Sequence, residues 1–361
     1  MKTLKLLIVS PLPPPYGGIA RWSEQVINYL ELHNCIKFSH LDIAVRWRSV
    51  HSNFLFRVLG GFFQLVFNYL SFIVNLIKGY NVIHLTSSGS IGLFRDILFA
   101  LTCNIFNVHF ILHIRFGRIP EIYKKRSYEY YLIIFLFKLC DDIICIDDRS
   151  YQFLNNLNFN NIHLIPNCID YSFGADQGCF FGRENIINFV GWVKKEKGVD
   201  ELIASFINLN PVDWKLNIIG PIDNNFYSEL LCKYDLEKYN DKIKFVGQVD
   251  NINILPMLKK SKIFILPSYT EGFPNVILEA MACKNAVIST SVGAIPEILS
   301  NNCGILVNPT DQKSLEQEMN LLLNSPYLQL ELSNNAFLRC KNHYSIDNSV
   351  TQYLKIWRNE I

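Results

Sequence analysis

Ser268-Tyr-Thr-Glu271-Gly-Phe-Pro-Asn-Val-Ile-Leu-Glu279-Ala-Met-Ala-Cys-Lys284 begins at the end of an apolar run, Lys262-Ile-Phe-Ile-Leu-Pro-Ser268, and passes at once into a helical pattern. Gly272 supplies a flexible approach, Pro274 suits the first helical position, and Lys284 falls near the C-terminal end of a short helix. A helix therefore starts right after a strand end. Its N-terminus presents the backbone N–H groups of Phe273, Asn275 and Val276 and the positive end of a dipole, which together favour a phosphate or diphosphate. Val276, Ile277, Leu278, Ala280, Met281 and Ala282 are apolar all round, so the helix is expected to be buried with Glu279 as its one charged interior residue. A buried carboxylate needs a partner. Two partners fit: the vicinal hydroxyls of a ribose, both of which can donate to it, or a Lys or Arg in a salt bridge. Glu271, eight residues earlier and outside the helix, is expected near the diphosphate and the sugar attached to it.

Outward from this segment the chain repeats one pattern. Candidate strands at Leu4 to Ser10, Leu41 to Val45, Asn81 to Thr86, His109 to Ile114, Asp142 to Ile146 and Asn161 to Ile165 alternate with longer helical stretches. A second series opens at Asn185 to Gly191 and continues at Lys215 to Gly220, Lys242 to Gly247, Lys262 to Ser268 and Asn285 to Thr290. Alternating short apolar runs and helices predict parallel sheets covered on both faces, with ligands outside the carboxyl ends of the strands. The loop-like stretch Tyr171 to Arg183 marks the junction of two α/β domains, and 361 residues are ample for both.

Half the residues are hydrophobic and 18% are charged, the balance of a globular enzyme. The ten cysteines form no C-x-x-C pair and no metal-ligand spacing, so they are expected as buried small hydrophobes in a reducing cytosol. Met1 to Ser10 is basic and then apolar like a signal peptide, but it runs into a Pro-rich turn without a cleavage motif and is taken as a first strand. Charge is uneven: residues 1–165 carry 16 Lys/Arg against 10 Asp/Glu, and the remainder carries 18 against 22. A basic N-terminal half suggests an anionic partner, a membrane surface or a phosphorylated acceptor. Nucleic acid is not expected, because no dense basic run or reading motif is present. Phe54 to Lys78 is apolar but interrupted by Arg57, Gln64, Asn68 and Asn75; it reads first as a largely buried helix, with an interfacial helix and a true span as alternatives. Arg46-Trp47-Arg48 and Lys124-Lys125-Arg126 would suit a headgroup surface.

Taken together, these motifs resemble the retaining family 4 glycosyltransferases, glycosyl transferases group 1, as found in bacterial surface-polysaccharide synthesis. Glu271 and Glu279 match the family's E-x7-E motif. Phe189-Val-Gly-Trp-Val-Lys-Lys-Glu-Lys197-Gly198 resembles its Gly-Arg-…-Lys-Gly loop, Ser291-Val-Gly-Ala-Ile-Pro-Glu-Ile-Leu299 its Gly-Gly-x-Pro-Glu element, and Ile165-Pro-Asn-Cys-Ile-Asp170 its Pro-Asn-Gly-Val-Asp segment. The resemblance implies a GT-B fold of two Rossmann-like domains with parallel sheets facing across a cleft: residues 1–168 for the acceptor, 169–344 for a nucleotide-sugar donor, and 345–361 as a helix crossing back to the first domain. Val350, Tyr353, Leu354 and Trp357 stand at helical spacing in that last segment.

By the same resemblance Glu271, Lys197 and His113 are the catalytic candidates. Lys197 would stabilise charge on the leaving nucleotide, Glu279 would hold the ribose, Glu271 would contact the transferred sugar, and His113 at a strand end would meet that sugar. Gly17 and Gly18 of Pro15-Tyr-Gly-Gly, Gly191, Val246 beside the base, and Gly272, Phe273, Pro274, Asn275 and Val276 would line the donor. One departure stands out: Trp192 occupies the place of an expected Arg. Lys194, Lys195 or Arg115 are the substitute cations. No D-x-D pair follows a strand in the manner of metal-dependent transferases; Asp141-Asp142 and Asp147-Asp148 read as turns and helix caps. Metal-independent transfer with retention is expected, with no cofactor beyond a UDP- or GDP-linked co-substrate. The expected acceptor is a glycan or lipid-linked glycan of capsule or O-antigen type, and the expected place is the cytoplasm, at or near the inner face of the plasma membrane. The rival readings are a silent sugar-nucleotide-binding protein, a GT-B sugar-nucleotide epimerase, and a small-pass membrane protein.

Overall fold

The computed structural model describes residues 4–14, 17–46, 54–159, 161–171 and 179–360. Trp47, Arg48, Pro15, Tyr16 and most of the Tyr171 to Arg183 stretch lie outside them. Two compact units are present: Met1–Asn167 with Ile346–Ile361, and Cys168–Ser345.

The N-terminal unit runs β1 (Leu6–Ser10), α1 (Gly18–His33), β2 (Phe38–Asp42), α2 (Phe54–Ile77), β3 (Val82–Ser87), α3 (Gly92–Phe106), β4 (His109–Ile114), α4 (Ile119–Lys125), α5 (Tyr128–Phe137), β5 (Asp142–Cys145), α6 (Asp148–Asn156) and β6 (Ile162–Leu164). Its sheet is parallel, in the order β2-β1-β3-β4-β5-β6. β1 is buried along its whole length, as a strand covered on both faces must be. Strand order reverses at β1, so the loops after β1 and β3 diverge there and leave a crevice. A cavity of about 400 Å³ opens at that place, lined by Gly17, Gly18, Ile19, Ala44, Thr86 and Arg95 among others.

Two expectations are corrected in this unit. The second strand is Phe38–Asp42, not Leu41 to Val45: it pairs residue for residue with β1 from Leu6↔Phe38 to Ser10↔Asp42. Pro11, Pro13 and Pro14 follow Ser10, and proline has no N–H with which to continue a ladder. The apolar stretch at 54–78 is not largely buried, for only 22% of Leu59–Ile77 lies inside. Phe72 and Leu76 enter the core, whereas most outward positions carry Phe, Leu, Val or Ile.

The C-terminal unit runs β7 (Glu184–Val190), α7 (Val199–Leu209), β8 (Lys215–Ile219), α8 (Asn224–Lys233), β9 (Ile243–Gly247), α9 (Asn251–Lys260), β10 (Ser261–Leu266), α10 (Asn275–Ala282), β11 (Ala286–Thr290), α11 (Ile295–Ile298), β12 (Ile305–Val307), α12 (Gln312–Leu323) and α13 (Pro326–His343). Its parallel sheet has the order β12-β11-β10-β7-β8-β9, with the reversal at β7. β12 was not foreseen; three residues pairing β11 alone give too short a period to read. Six of the ten cysteines are buried, but Cys179 and Cys232 are exposed.

The last helix, α14 (Ile346–Trp357), joins the N-terminal unit, with Val350, Tyr353 and Trp357 buried and Leu354 half-buried. Its docking is an aromatic knot. Trp22 Nε1 of α1 donates to Tyr353 Oη (3.1 Å), and Trp357 Nε1 donates to His84 Nδ1 of β3 (2.9 Å). Tyr353 and Trp357 stack at 5.7 Å, and Trp22 lies 5.4 Å from the His84 ring. Burial, with a further contribution from the Arg115 charge, brings the pKa of His84 to about 3.

The sign of that shift sets a pH dependence. An unfolded chain protonates this histidine below about pH 6.5 while the folded one does not, so its contribution to stability falls as pH drops from there toward 3. In urea unfolding between about pH 6 and pH 4.5, His84→Gln should make stability less steep in pH than wild type by about 1.4 kcal/mol per unit. An unchanged slope would mean that His84 takes up its proton in the folded state.

Candidate active site

In the C-terminal unit the site is built where the sheet order reverses. β7 ends at Val190, and the chain continues through Gly191, Trp192 and Val193 into a tight turn at Lys195–Lys197. Gly198 then adopts φ +68°, and a Cβ there would lie 2.0 Å from the Pro267 carbonyl oxygen. The loop after β7 is thereby pressed against the loop after β10, a contact only glycine permits. Tyr269 N–H donates to the Glu196 carbonyl (2.9 Å) across the same seam.

A third loop closes on these two. Gly293, at φ +55°, would place a Cβ 2.2 Å from the Glu271 carbonyl oxygen, and Ala294 N–H donates to the Gly272 carbonyl (2.9 Å). The strand-end loops of β7, β10 and β11 thus meet around Glu271-Gly272. There Lys197 Nζ donates to Glu271 Oε1 at 2.6 Å, and Ser268 Oγ donates to the same oxygen at 2.8 Å. Both members of the ion pair are partly shielded, at 22% and 13% side-chain exposure, so the attraction is less screened than on an open surface.

The helix following this loop begins at Asn275, with Pro274 one place before it as the cap. Glu279 is 3% exposed, and Ile277, Leu278, Ala280, Met281 and Ala282 are buried with it. Phe273 and Pro274 are buried, Asn275 and Val276 half-buried, and Gly272 exposed, so the turn shows backbone outward and side chains inward. Val246 lies near the end of the edge strand β9, half-buried, and Gly191 is tied to β8 by its N–H to the Ile219 carbonyl (2.9 Å).

Trp192, in place of the expected Arg, is 54% exposed, with Lys194 Nζ 5.5 Å from its ring centre. Lys194 also lies 3.9 Å from Glu196, and Lys195 is exposed. Of the substitute cations, these two share the loop of Lys197. Arg115 is in the other unit, 4.9 Å over the Trp22 ring. His113 sits beside it on β4, fully buried, with Nδ1 3.0 Å from His84 Nε2 and Nε2 3.1 Å from Arg115 Nη1. Burial, then the charge of Arg115, holds its pKa well below the ordinary histidine value. Trp357 and Arg115 can each only donate, one to His84 Nδ1 and the other to His113 Nε2, so the two ends of the His84–His113 pair call for opposite tautomers.

Gly17 differs from Gly198 and Gly293: its φ is −157° and nothing lies within 4 Å of a Cβ there. Gly18 opens α1. The aspartates act as structural groups. Asp147 caps α6 by accepting from Ser150 N–H (2.8 Å), and Asp141 accepts from Phe110 N–H (2.7 Å). Asp142 is a strand residue, not a turn. Burial opposes its charge, but hydrogen bonds from His109 (2.7 Å) and His163 (2.6 Å) win and bring its pKa to about 2.

Residues 176–339, nearly all of the C-terminal unit, match the family profile for Glycosyl transferases group 1. That unit belongs to the glycosyl transferases group 1 family. Over 241 residues the chain is 27% identical to the GalNAc-alpha-(1->4)-GalNAc-alpha-(1->3)-diNAcBac-PP-undecaprenol alpha-1,4-N-acetyl-D-galactosaminyltransferase of Campylobacter jejuni, covering 65% of each. It is 30% identical over 164 residues to the capsular polysaccharide biosynthesis glycosyltransferase CapM of Staphylococcus aureus, 44% of this chain and 42% of that one. The matches therefore span about two fifths to two thirds of these relatives' length. The fold is shared over the whole chain: sucrose-phosphate synthase from Thermosynechococcus elongatus superposes with a TM-score of 0.75 at 17% identity over 99% of this chain and 98% of that one. Anabaena HepE in complex with UDP gives 0.72 at 14% over 99% and 100%. This group 1 glycosyltransferase domain thus carries its glycines where its loops meet.

Gly198→Ala should lower unfolding free energy by about 1–2 kcal/mol for the left-handed backbone alone, and by more once Pro267 is displaced. Gly17→Ala should leave stability within about 1 kcal/mol of wild type. Chemical denaturation of both variants checks the contrast, and a large loss in Gly17→Ala would contradict the open space around it.

Proposed function

We propose that the protein is a retaining, metal-independent glycosyltransferase that moves a sugar from a UDP- or GDP-linked donor to a glycan or lipid-linked glycan acceptor. The observation that carries this reading is the Lys197–Glu271 pair, made where three strand-end loops converge just before the N-terminus of α10. A donor diphosphate laid on the helix end would compete with Glu271 for Lys197, whose charge would then balance the negative charge that grows on the leaving nucleotide. Glu271, held in place by Ser268, would face the transferred sugar, and buried Glu279 would accept from the ribose hydroxyls. With Trp192 in the expected position of Arg, Lys197 and the helix end carry more of that charge, and Lys194 stands by on the indole face.

In the N-terminal unit, the cavity lined by Gly17 and Gly18 would take the donor's phosphate or sugar on the side from which the acceptor comes. His113, neutral and hydrogen-bonded to His84, would meet the transferred sugar. The Campylobacter jejuni relative is named for an undecaprenyl-diphosphate-linked acceptor, and CapM for capsule synthesis. The first name supports a lipid-linked acceptor and the second a surface-polysaccharide role; a place at the cytoplasmic membrane face is part of the same proposal. Trp192 in the place of an expected Arg favours one further reading, a donor-binding protein without turnover.

Thermal unfolding with a panel of UDP-, GDP- and ADP-sugars should single out one donor by a raised midpoint. With that donor, Glu279→Ala should chiefly weaken binding, whereas Glu271→Ala should lower kcat by about 100-fold with little change in KM. The opposite split would overturn the two roles. An inverted product anomer would refute retention, and donor binding without transfer to any acceptor would favour the silent protein.

A further inference from the structure

α2 is inside out. Its inward positions include the amides Gln64 and Asn68, 8% and 5% exposed, while Leu59, Phe62, Phe63, Val66, Phe67 and Leu70 point outward at 40–59% exposure. Val74 and Ile77 continue the stripe to the helix end. The amides have work inside: Gln64 donates to the Ala44 carbonyl and accepts from Arg46 N–H (3.3 Å), tying the helix to the chain after β2. Phe72 anchors the other side by stacking on Phe99 of α3 at 4.2 Å. A helix folded to water would show the reverse pattern, so the outer stripe calls for an apolar partner. The neighbouring helices continue it with Phe94 and Ile105 on α3 and Tyr131 and Phe135 on α5, all exposed.

The charge around this layer identifies the partner. Between Ile43 and Cys140 stand eleven Lys/Arg and only three acids, Asp96, Glu121 and Glu129, in a chain whose total is +2. Each of the three is held by an arginine: Asp96 by Arg95, Glu121 by Arg149 and Glu129 by Arg118. Lys78, Lys124, Lys125 and Lys138 are exposed. We propose that the outer face of α2, extended by α3 and α5, is a monotopic docking surface that lies in the headgroup layer of an anionic bilayer. Apolar side chains enter the acyl boundary and the surrounding lysines meet anionic lipid. A second copy is a poor occupant, because a self-complementary contact would press this strongly basic segment against itself. A span is disfavoured because Gln64, Asn68, Phe72 and Leu76 are committed to the N-terminal unit.

The inference needs only the N-terminal unit; where the proposed transfer also holds, it assigns the acceptor to the lipid-linked class. The full chain should co-sediment with vesicles containing phosphatidylglycerol and far less with pure phosphatidylcholine, and about 0.5 M NaCl should release most of it. Phe63→Ser, Phe67→Ser and Leu70→Ser combined should lower the partition coefficient at least about tenfold. Lys124→Glu with Lys125→Glu should weaken binding to the anionic vesicles only. All these variants should keep donor-induced thermal protection, which separates failure of docking from failure of the donor site. Vesicle binding unaffected by the α2 substitutions, retention through high salt and alkaline carbonate, or a dimer in sedimentation velocity that those substitutions disperse without any vesicle binding would each overturn the proposal.

Discussion

The contact on which the C-terminal unit turns is a backbone one. Carbonyl oxygens of Pro267 and Glu271 occupy the volume that a Cβ would need at Gly198 and Gly293. Because both glycines hold left-handed conformations without strain, loops from three strands come together at a spacing that side chains would forbid. Lys197 and Glu271, 74 residues apart, meet only for that reason. The ion pair is therefore a consequence of loop packing, and its chemistry is available at the end of a helix whose one charged residue, Glu279, is buried.

The N-terminal unit solves a different problem. Its candidate histidine lies in a fully buried setting, where a charged ring would be expensive and the neutral form prevails. Donors close both ends of its hydrogen-bonded pair with His84, Trp357 from the last helix of the chain and Arg115 from the end of β4. The same docking places Tyr353 against Trp22. A C-terminal segment that would otherwise read as packing thus reaches the hydrogen-bonded surroundings of a strand-end side chain on the far side of the sequence.

On α2 the hydrophobic pattern and the fold part company. Twenty-four residues, most of them apolar, read first as a buried helix, with an interfacial helix and a span as alternatives that periodicity alone does not exclude. Gln64 looks like an interruption of an apolar face, but it is a buried anchor, because the open backbone after β2 needs hydrogen-bond partners there. Similarly, the boundary of β2 was set by prolines on its neighbour, which no reading of the strand's own residues would reveal.

The amino-acid sequence by itself determined the two α/β units, nearly every strand, the last helix and the segment from Glu271 to Glu279, because burial on both faces of a parallel sheet writes itself as local apolar runs and because a strand-to-helix turn has local turn chemistry. It also showed Trp192 where a cation was expected. Only the tertiary structure decided that Lys197 pairs with Glu271, that His113 is buried behind His84 and Arg115, and that α2 turns its apolar side outward. These depend on which distant backbone carbonyl, ring or amide arrives beside a residue, and that is a property of how strand ends and helices pack, not of any window along the chain.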